Sequence, residues 1–308
     1  MRLRLPDAQL NLPLLTVALH WGVNQIAIKL GLRELPPLTW SAVRFTLAAL
    51  ALFWLLHRRE GGFAVPRRHW ARLLVAGALS FGAATFLFTA GLRYTTATNS
   101  SLIVASSPVI TALLAWLVGV ERFQPVKAAG VTLAFAGVAV LLLAGGDGFQ
   151  LSTTTLRGDL LSLAGTVLIG GYAILILPLF ADASPLRVTT WTFGLAALAM
   201  WVAVPLEFPR LSFRTLTLLT PATLLYSALL AGAWAQIAWN EAIHRTSPTQ
   251  VVVYLYLPPI VAAVVSAVVL GERPRLAQAL GALVIFAGLY LAQRPEGARR
   301  QKATLSTP

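Results

Sequence analysis

Polar side chains recur at helical spacing inside the first long apolar run of the chain. Thr16, His20 and Asn24 stand four residues apart, which places them on one face of a helix, with Trp21 in the same turn. A buried polar group without a partner costs about 1–3 kcal/mol, so this face meets either another helix or a wet cavity. Both interpretations stay open. In the second, His20, Trp21 and Asn24 contact a bound solute, and His20 is the side chain suited to carry a coupled proton.

A later apolar run carries two indoles and two amides on a single predicted helix. These are Trp234, Gln236, Trp239 and Asn240, with Gln236 and Asn240 four residues apart. Four such groups cannot all face lipid tails without leaving polar atoms unpaired. We expect this helix to contact the same solute. The alternative for the indoles is anchoring at a membrane interface.

Further candidates lie in other apolar runs. Side chains that could contact a solute there are Asn99, Tyr172, Tyr254 and Tyr256. Pro108 and Pro259 are each expected to remove a helix hydrogen bond and to kink their helices, as gates or as static bends. Arg44 stands inside an apolar run, where a cation costs about 2.5–3.5 kcal/mol on insertion scales, and it pairs with either a structural partner or a substrate carboxylate.

Composition excludes several classes of site. The chain is 57% hydrophobic and 11% charged, whereas soluble domains carry about 25% charged residues, so a bilayer is the expected solvent. It has no Cys, no HExxH and no GxxxxGK[ST], so we expect no catalytic residue, metal site, cofactor or ATP hydrolysis. The net charge of +13 comes mostly from short connecting segments, which does not indicate nucleic-acid binding.

Ten apolar runs are long enough to predict membrane-spanning helices, since about 20 residues cross a bilayer. They lie at 10–31, 37–56, 69–91, 97–118, 125–145, 157–180, 186–206, 218–242, 249–271 and 275–293. The fold class predicted is therefore an all-α integral membrane protein. The remaining stretch, 294–308, is polar and predicted to be a disordered tail.

The chain also contains an internal repeat. Residues 106–122 read SSPVITALLAWLVGVER and 257–273 read LPPIVAAVVSAVVLGER, an offset of 257 minus 106, or 151 residues. The run FTLAALA at 45–51 likewise matches FGLAALA at 193–199. We predict two five-helix repeats, 1–148 and 149–293. Because five is odd, the second repeat enters the membrane from the opposite side, which makes the repeats inverted.

Basic residues in the connecting segments predict the orientation. Of the 24 Lys and Arg, 15 fall on the side that holds both termini, 8 on the other side, and Arg44 lies within a span. The positive-inside rule places both termini in the cytoplasm, and a bacterial-type inner membrane is the expected location.

Several motifs together resemble a known family. HWGVNQIAIKLG (20–31), Pro36-Pro37 followed by Arg44-Phe45, GLRYTTAT (91–98) and the repeated segment at 106–122 resemble the EamA family of the drug/metabolite transporter superfamily. The chain also resembles the YddG-type exporters of aromatic amino acids within that family. The resemblance implies a ten-helix secondary transporter, often an exporter of metabolites or amino acids.

The residues favour an alternating-access transporter with a central cavity lined from spans 1, 3, 4, 6, 8 and 9. Its aromatic density favours amphipathic solutes, most of all amino acids including aromatic ones. Export driven by a proton gradient and simple downhill export both stay open.

One alternative is a nucleotide-sugar carrier, which would need several cations in the cavity. Another is an integral-membrane enzyme, which would need a catalytic cluster. The expected partners are the lipid bilayer and a small-molecule substrate, and a monomer is sufficient.

Overall fold

The computed structural model describes residues 11–91, 94–95, 103–145, 153–210, 217–270 and 276–292 of the 308-residue chain. Within these ranges every regular element is a helix, as the composition predicts. We number ten helical segments α1 to α10, in chain order; residues 103–105 are also helical and precede α4, from which Ser106 separates them. Asn99 and the predicted tail 294–308 fall outside the described residues.

The first five segments lie between residues 12 and 145. They are α1 (Leu12–Gly31), α2 (Pro37–Glu60), α3 (the stretches Arg67–His69, Trp70–Leu74, Val75–Ala83 and Ala84–Gly91 in succession), α4 (Ser107–Leu117) and α5 (Pro125–Gly145). Within α3, the stretch Val75–Ala83 is a π-helix, in which each backbone N–H bonds five residues back rather than four.

The other five segments lie between residues 153 and 292. They are α6 (Thr153–Ile176, continued by the 3₁₀ turn Leu177–Ala181), α7 (Pro185–Ala203, continued by Val204–Arg210), α8 (Leu219–Leu225, Tyr226–Trp234 and Ala235–Arg245), α9 (Pro248–Val252, Val253–Tyr256 and Pro258–Leu270) and α10 (Leu276–Ala292). Within α8, the stretch Tyr226–Trp234 is again a π-helix.

Local sequence sets where several helices begin and end. The Asn11 side chain accepts a hydrogen bond from the Leu14 N–H and caps α1, and Ser184 caps α7 by accepting from the Arg187 N–H. Such caps satisfy amides that have no partner within the helix. α2 ends at Gly61, whose φ of 68° is a left-handed conformation that suits glycine.

The helices form a membrane-spanning bundle. By length and composition α2, α3, α6, α7 and α8 can each cross a bilayer, and the other five segments are shorter apolar helices. Large apolar side chains face outward, among them Leu50, Val202 and Val268 at 63%, 82% and 80% exposure. Water would make such a surface unstable, whereas lipid is its natural solvent. Each of the ten segments overlaps one of the ten predicted spans, in an all-α fold of two inverted repeats.

Helix packing follows the same pattern in both halves. α1 packs on α8 and α9, and its counterpart α6 packs on α3 and α4. The pairs α2–α7, α5–α10 and α4 with the start of α9 each join equivalent helices. This is the arrangement that a pseudo-two-fold axis in the membrane plane produces. The boundaries 1–148 and 149–293 stay predictions.

Irregular backbone also recurs at the repeat offset. The π-helix Val75–Ala83 becomes Tyr226–Trp234 when 151 is added to its numbers. Ser106, just before α4, and Leu257, within α9, interrupt the helices at positions related by the same offset. Pro108 and Pro259 each follow such an interruption and lie in the first turn of a new helix, where a proline costs no hydrogen bond. The structure therefore has breaks at these places, which differs from the kinks predicted.

Glycines allow α5 and α10 to pack closely. A Cβ added at Gly130 would lie 2.7 Å from the Cα of Ala292, and one at Gly288 would lie 2.7 Å from the Cα of Ala134. The offset of 151 relates Gly288 to Gly137, where an added Cβ would likewise lie 2.7 Å from a backbone atom, the Ile285 nitrogen. Small residues at such spacing are what close helix packing in lipid requires.

We predict that Gly288→Ala destabilises the protein. The added methyl overlaps the α5 backbone, and overpacking costs about 1–3 kcal/mol, which outweighs the gain of at most about 1 kcal/mol in helix propensity. The melting temperature in detergent should fall by several degrees. Gly171→Ala adds the same methyl to α6 where nothing lies within 4 Å, and it should leave the melting temperature unchanged or raise it. Equal melting temperatures for the two variants would contradict the packing described.

Candidate functional site

A cavity with two connected compartments lies between the repeats. The larger compartment has a volume of about 810 Å³ and the smaller about 320 Å³, which falls in the range of about 300–1,000 Å³ typical of small-molecule sites. We call the larger one the vestibule and the smaller one the inner chamber. Six residues line both and mark the junction between them: Gln25, Ile28, Arg44, Thr85, Ser107 and Ile169.

The vestibule opens at one membrane face. Its lining includes residues 32–36, which connect α1 to α2, and Glu207 near the end of α7. We call this the open face. Neither compartment is lined by the connections 61–66, 182–184 or 246–247 at the opposite face, which we call the closed face. Among the described residues, the lining of the central cavity therefore reaches one face and not the other.

The inner chamber has an aromatic wall. Trp21 and Trp239 lie 4.9 Å apart between ring centroids, and Phe81 lies 4.7 Å from Tyr172. Phe45 and Phe193 complete the wall and contact each other at 5.1 Å. All six rings line the chamber. They form a surface suited to an apolar or aromatic group by stacking and burial.

Amides supply the polarity of the chamber. Gln236 lines it and donates to the Asn240 side chain at 3.2 Å. Asn240 is fully buried behind it and donates at 2.8 Å to both the Tyr172 hydroxyl and Thr189. This network fixes Tyr172 and Gln236 in place. Asn24 lines the chamber from the other side and accepts a hydrogen bond from Ser227.

The polar stripe of α1 faces α8, and only Asn24 of its three members reaches the cavity. His20 lies 3.1 Å from the Tyr226 hydroxyl and packs edge-on against Trp234, which is 42% exposed. His20 and Trp234 line neither compartment. Thr16 bonds back to the carbonyl of Pro13. His20 therefore contacts another helix, which is the first of the two interpretations of the stripe. A role of His20 in proton coupling stays a prediction.

Two of the predicted tyrosines lie toward the closed face, away from the cavity lining. The Tyr254 hydroxyl accepts a hydrogen bond from the Asn11 N–H at the start of α1. Tyr256 is fully buried, and its hydroxyl has no partner among the described residues. The predicted site residues that the structure brings together in the chamber are Trp21, Asn24, Tyr172, Gln236 and Trp239.

The π-helical stretches face the chamber at equivalent positions. Ser80 and Phe81 line it from α3, and Ala231 and Gly232 line it from α8. Trp21 donates its indole N–H to the Ala231 carbonyl at 2.8 Å. π-Helical turns frequently mark functional sites, because they widen a helix and expose carbonyls. The chamber thus lies where the two repeats present the same irregular backbone.

Sequence reasoning did not identify α2 and α7 as part of the cavity. Phe45 and Phe193 line the chamber from these helices. Both begin the matching heptapeptides FTLAALA and FGLAALA, so the repeat itself was a signal that could have found them. α5 and α10 contribute no lining residue among those described, since they pack on each other instead.

Arg44 is the cation at the junction of the compartments. Its guanidinium lies 4.8 Å from the centroid of the Phe45 ring. It forms no ion pair with any carboxylate in the described part of the chain. The vestibule also contains Arg33, Glu34 and Glu207.

Ion pairs hold the closed face together. Asp182, after α6, lies 2.6 Å from Arg68 and 2.5 Å from His69 at the start of α3. Hydrogen bonds from Arg68, and then from His69, lower the pKa of the Asp182 carboxyl from its ordinary value. Glu60, at the end of α2, pairs with Arg187 of α7 at 2.7 Å.

At the open face, carboxylates bind hydroxyls and amides in place of cations. Glu34, after α1, accepts from the backbone N–H of Thr217 at 2.9 Å and from the Thr217 and Thr220 hydroxyls at the start of α8. Hydrogen bonds from Thr217, and then from Thr220, lower the pKa of Glu34. Glu207 accepts from the Thr39 N–H at 2.9 Å. These contacts join the helices equivalent to those joined at the closed face.

Within the described ranges, no three His, Asp or Glu side chains lie close enough together to bind one metal ion.

Comparison with known proteins agrees with this architecture. Residues 11–143 and 156–293 each match the EamA-like transporter family. A protein named as an uncharacterized transporter of Archaeoglobus fulgidus is 33% identical over 298 residues, which cover 92% of this chain and 97% of the relative. A probable terminal-alkyne amino-acid exporter of Streptantibioticus cattleyicolor is 31% identical and covers 96% of each chain.

A solved crystal structure shares the fold, with a TM-score of 0.78 at 18% identity over 96% of this chain and 98% of the other. The family match recurs in both halves, and two relatives exceed 30% identity over nearly their whole length. The fold and these relationships show a multi-pass membrane transporter, and the chain belongs to the EamA-like transporter family.

Proposed function

We propose that this protein is a secondary transporter that exports amino acids, aromatic ones included, and similar small metabolites by alternating access. The observation that carries the proposal is the cavity between the repeats, which is open at one face and sealed at the other. An enzyme would instead need a nucleophile, a base or a metal group at this site. The chamber supplies aromatic rings and amides.

The lining supports an amino-acid-sized, amphipathic substrate. Six aromatic rings suit an apolar side chain, and Asn24 and Gln236 suit polar ends. The relative from Streptantibioticus cattleyicolor, named as a probable amino-acid exporter, points to the same substrate class. A nucleotide sugar fits less well, because Glu34 and Glu207 share the vestibule with Arg33 and Arg44. Among the described lining residues, two acids beside two cations give little net attraction for a diphosphate.

Alternating access follows from the inverted symmetry of the contacts. The acidic residue after the first helix of each repeat binds the start of the third helix of the other repeat, as Glu34 does on α8 and Asp182 does on α3. If each repeat adopts the conformation that the other repeat has in this structure, the contacts at the closed face break and the cavity closes at the open face. The broken and π-helical stretches are the natural places for that bending.

The proposed orientation places both termini in the cytoplasm of a cell with the protein in its inner membrane. The open face is then extracellular, and the conformation described is outward-open. Transport requires a gradient, since the sequence has no ATP-binding loop. Because His20 does not line the cavity, downhill export is the simpler mechanism, and coupling to protons through His20 stays a separate prediction.

Substitutions in the chamber should weaken transport without unfolding the protein. Trp239→Ala removes a stacking surface, and Gln236→Ala removes an amide. Stacking contacts are worth about 0.5–1.5 kcal/mol, or roughly two- to twelvefold, so the half-saturation concentration for amino-acid uptake into proteoliposomes should rise by that amount in Trp239→Ala. Trp54→Ala is the matched control, because Trp54 is 62% exposed on the outside of α2. Equal transport in Trp239→Ala and Trp54→Ala would remove this chamber from the pathway.

Thiol labelling can test which face is open. The native chain has no Cys, so single-cysteine variants carry no background. Ile169→Cys, at the junction, should react with a membrane-impermeant maleimide applied from the open face. Thr249→Cys should stay unreactive from both faces, because Thr249 is fully buried at the closed face, where Glu121 accepts from its N–H. Labelling of Thr249→Cys as fast as Ile169→Cys would contradict the sealed face.

Breaking the ion pair at the closed face should loosen it. Asp182→Asn is expected to lower the melting temperature and to increase labelling of Thr249→Cys. Because the folded pKa of Asp182 is lowered, its stabilisation is full above the ordinary value of 3.8 and is lost as the pH falls through the lowered folded value. The difference from wild type should therefore begin to shrink below about pH 4 and vanish once the pH lies below the lowered folded pKa. Glu241→Gln, which breaks a pair with Arg245 inside α8 alone, should not increase the labelling.

A further inference from the structure

We propose that Arg44, together with the start of α4, forms a carboxylate-binding subsite at the junction between the vestibule and the inner chamber. The inference rests on the proposed transport of small metabolites and specifies the substrate. It must carry one carboxylate beside an apolar group, as an amino acid with an apolar or aromatic side chain does. The carboxylate would stay at the junction, with the apolar group in the aromatic chamber.

The position of Arg44 is the first argument. It is the eighth residue of α2, so it lies about 10 Å along the helix from its start at the open face. A cation at that depth in a span is costly, and such residues usually mark substrate pathways or bind a partner. No described carboxylate pairs with it, and its guanidinium lines both compartments beside the Phe45 ring. Guanidinium also matches a carboxylate in geometry, with two parallel hydrogen bonds.

The start of α4 is the second argument. Ser107 begins this eleven-residue helix and lines both compartments together with Arg44. It is 4% exposed, and its hydroxyl has no hydrogen-bond partner among the described residues. A buried hydroxyl without a partner is costly unless a ligand supplies one. The helix start adds a partial positive charge, and broken helices in transporters direct such ends at anionic groups.

The third argument is that the cation occurs in one repeat only. When the heptapeptides at 45–51 and 193–199 are matched, Arg44 corresponds to Thr192. Thr192 donates to the Val188 carbonyl of its own helix at 2.9 Å and is fully buried. Among the described side chains Arg44 is the one cation at the junction, and a pseudo-symmetric cavity with one such cation binds one anionic group in one orientation. This favours a monocarboxylate over a substrate that carries two phosphates.

The test compares an amino acid with its own carboxamide at about pH 6, where the α-amino group of both stays protonated. The carboxamide then keeps the shape and the ammonium group and removes only the negative charge. Proteoliposomes are first screened with L-phenylalanine, L-leucine and L-threonine, and the best substrate is paired with its amide. Wild type should prefer the amino acid at least tenfold. Arg44→Gln should raise the half-saturation concentration at least tenfold for the amino acid and less than twofold for the amide. Arg44→Lys, which keeps the charge, should retain part of the preference.

Arg58→Gln is the matched control, because Arg58 lies on the same helix, stacks on Trp54 at 5.7 Å and is exposed outside the cavity. It should behave as wild type. Equal loss for acid and amide in Arg44→Gln, or no loss, overturns the subsite while leaving the proposed transport intact. Should Arg44→Gln fail to fold, Ser107→Ala decides: it should weaken amino-acid transport at least threefold and spare the amide, and an equal effect on both overturns the subsite. A wild type that transports no amino acid overturns the proposed function itself.

Discussion

Backbone amides and carbonyls in a bilayer have no water to bind, and this constraint governs the whole structure. Each must be paired within the protein, so the chain crosses the membrane as helices. Irregular backbone is tolerated only where protein or a wet cavity covers it. In this molecule the π-helical stretches of α3 and α8 meet that condition, since both line the inner chamber. The break before α4 likewise opens onto the cavity at Ser107. The places where the helices are imperfect are therefore the places where we propose that a solute binds.

The helices fall into two groups, a pair that packs on itself and eight that surround the cavity. α5 and α10 contact each other through glycines and contribute nothing to the described cavity lining, so they behave as a fixed pair. The other eight helices surround the cavity. At its two ends, equivalent helices are joined by different chemistry, with Asp182 held by Arg68 and His69 and Glu34 held by hydroxyls and an amide. In the proposed alternating-access cycle, the symmetry of the fold lets either end close, and the different chemistry lets the two closed ends differ in stability.

Sequence alone predicted the helical class, the ten spans and the repeat, because apolar run length and self-similarity are direct consequences of the membrane constraint. It also identified Trp21, Asn24, Tyr172, Gln236 and Trp239, whose polarity or size is unusual in an apolar run. Spacing places His20 and Asn24 on the same face of α1, so the sequence could not show that Asn24 lines the cavity and His20 does not. Phe45 and Phe193 were missed because a phenylalanine in an apolar span is ordinary until its neighbours are known. Tyr254 and Tyr256 share the residue type of a binding aromatic, and only tertiary packing places them outside the cavity lining.

The correspondence of Arg44 with Thr192 has a consequence for how such a molecule can be assembled. A homodimer of identical five-helix subunits inserted in opposite directions would hold either two arginines at this level or none. Its central compartment would have no intrinsic polarity, and a zwitterion could enter it either way round. Covalent fusion lets the two copies differ at a single position. If the proposed subsite is correct, one unmatched guanidinium makes the two ends of the compartment chemically different, so that a molecule with one charged end crosses in a defined orientation.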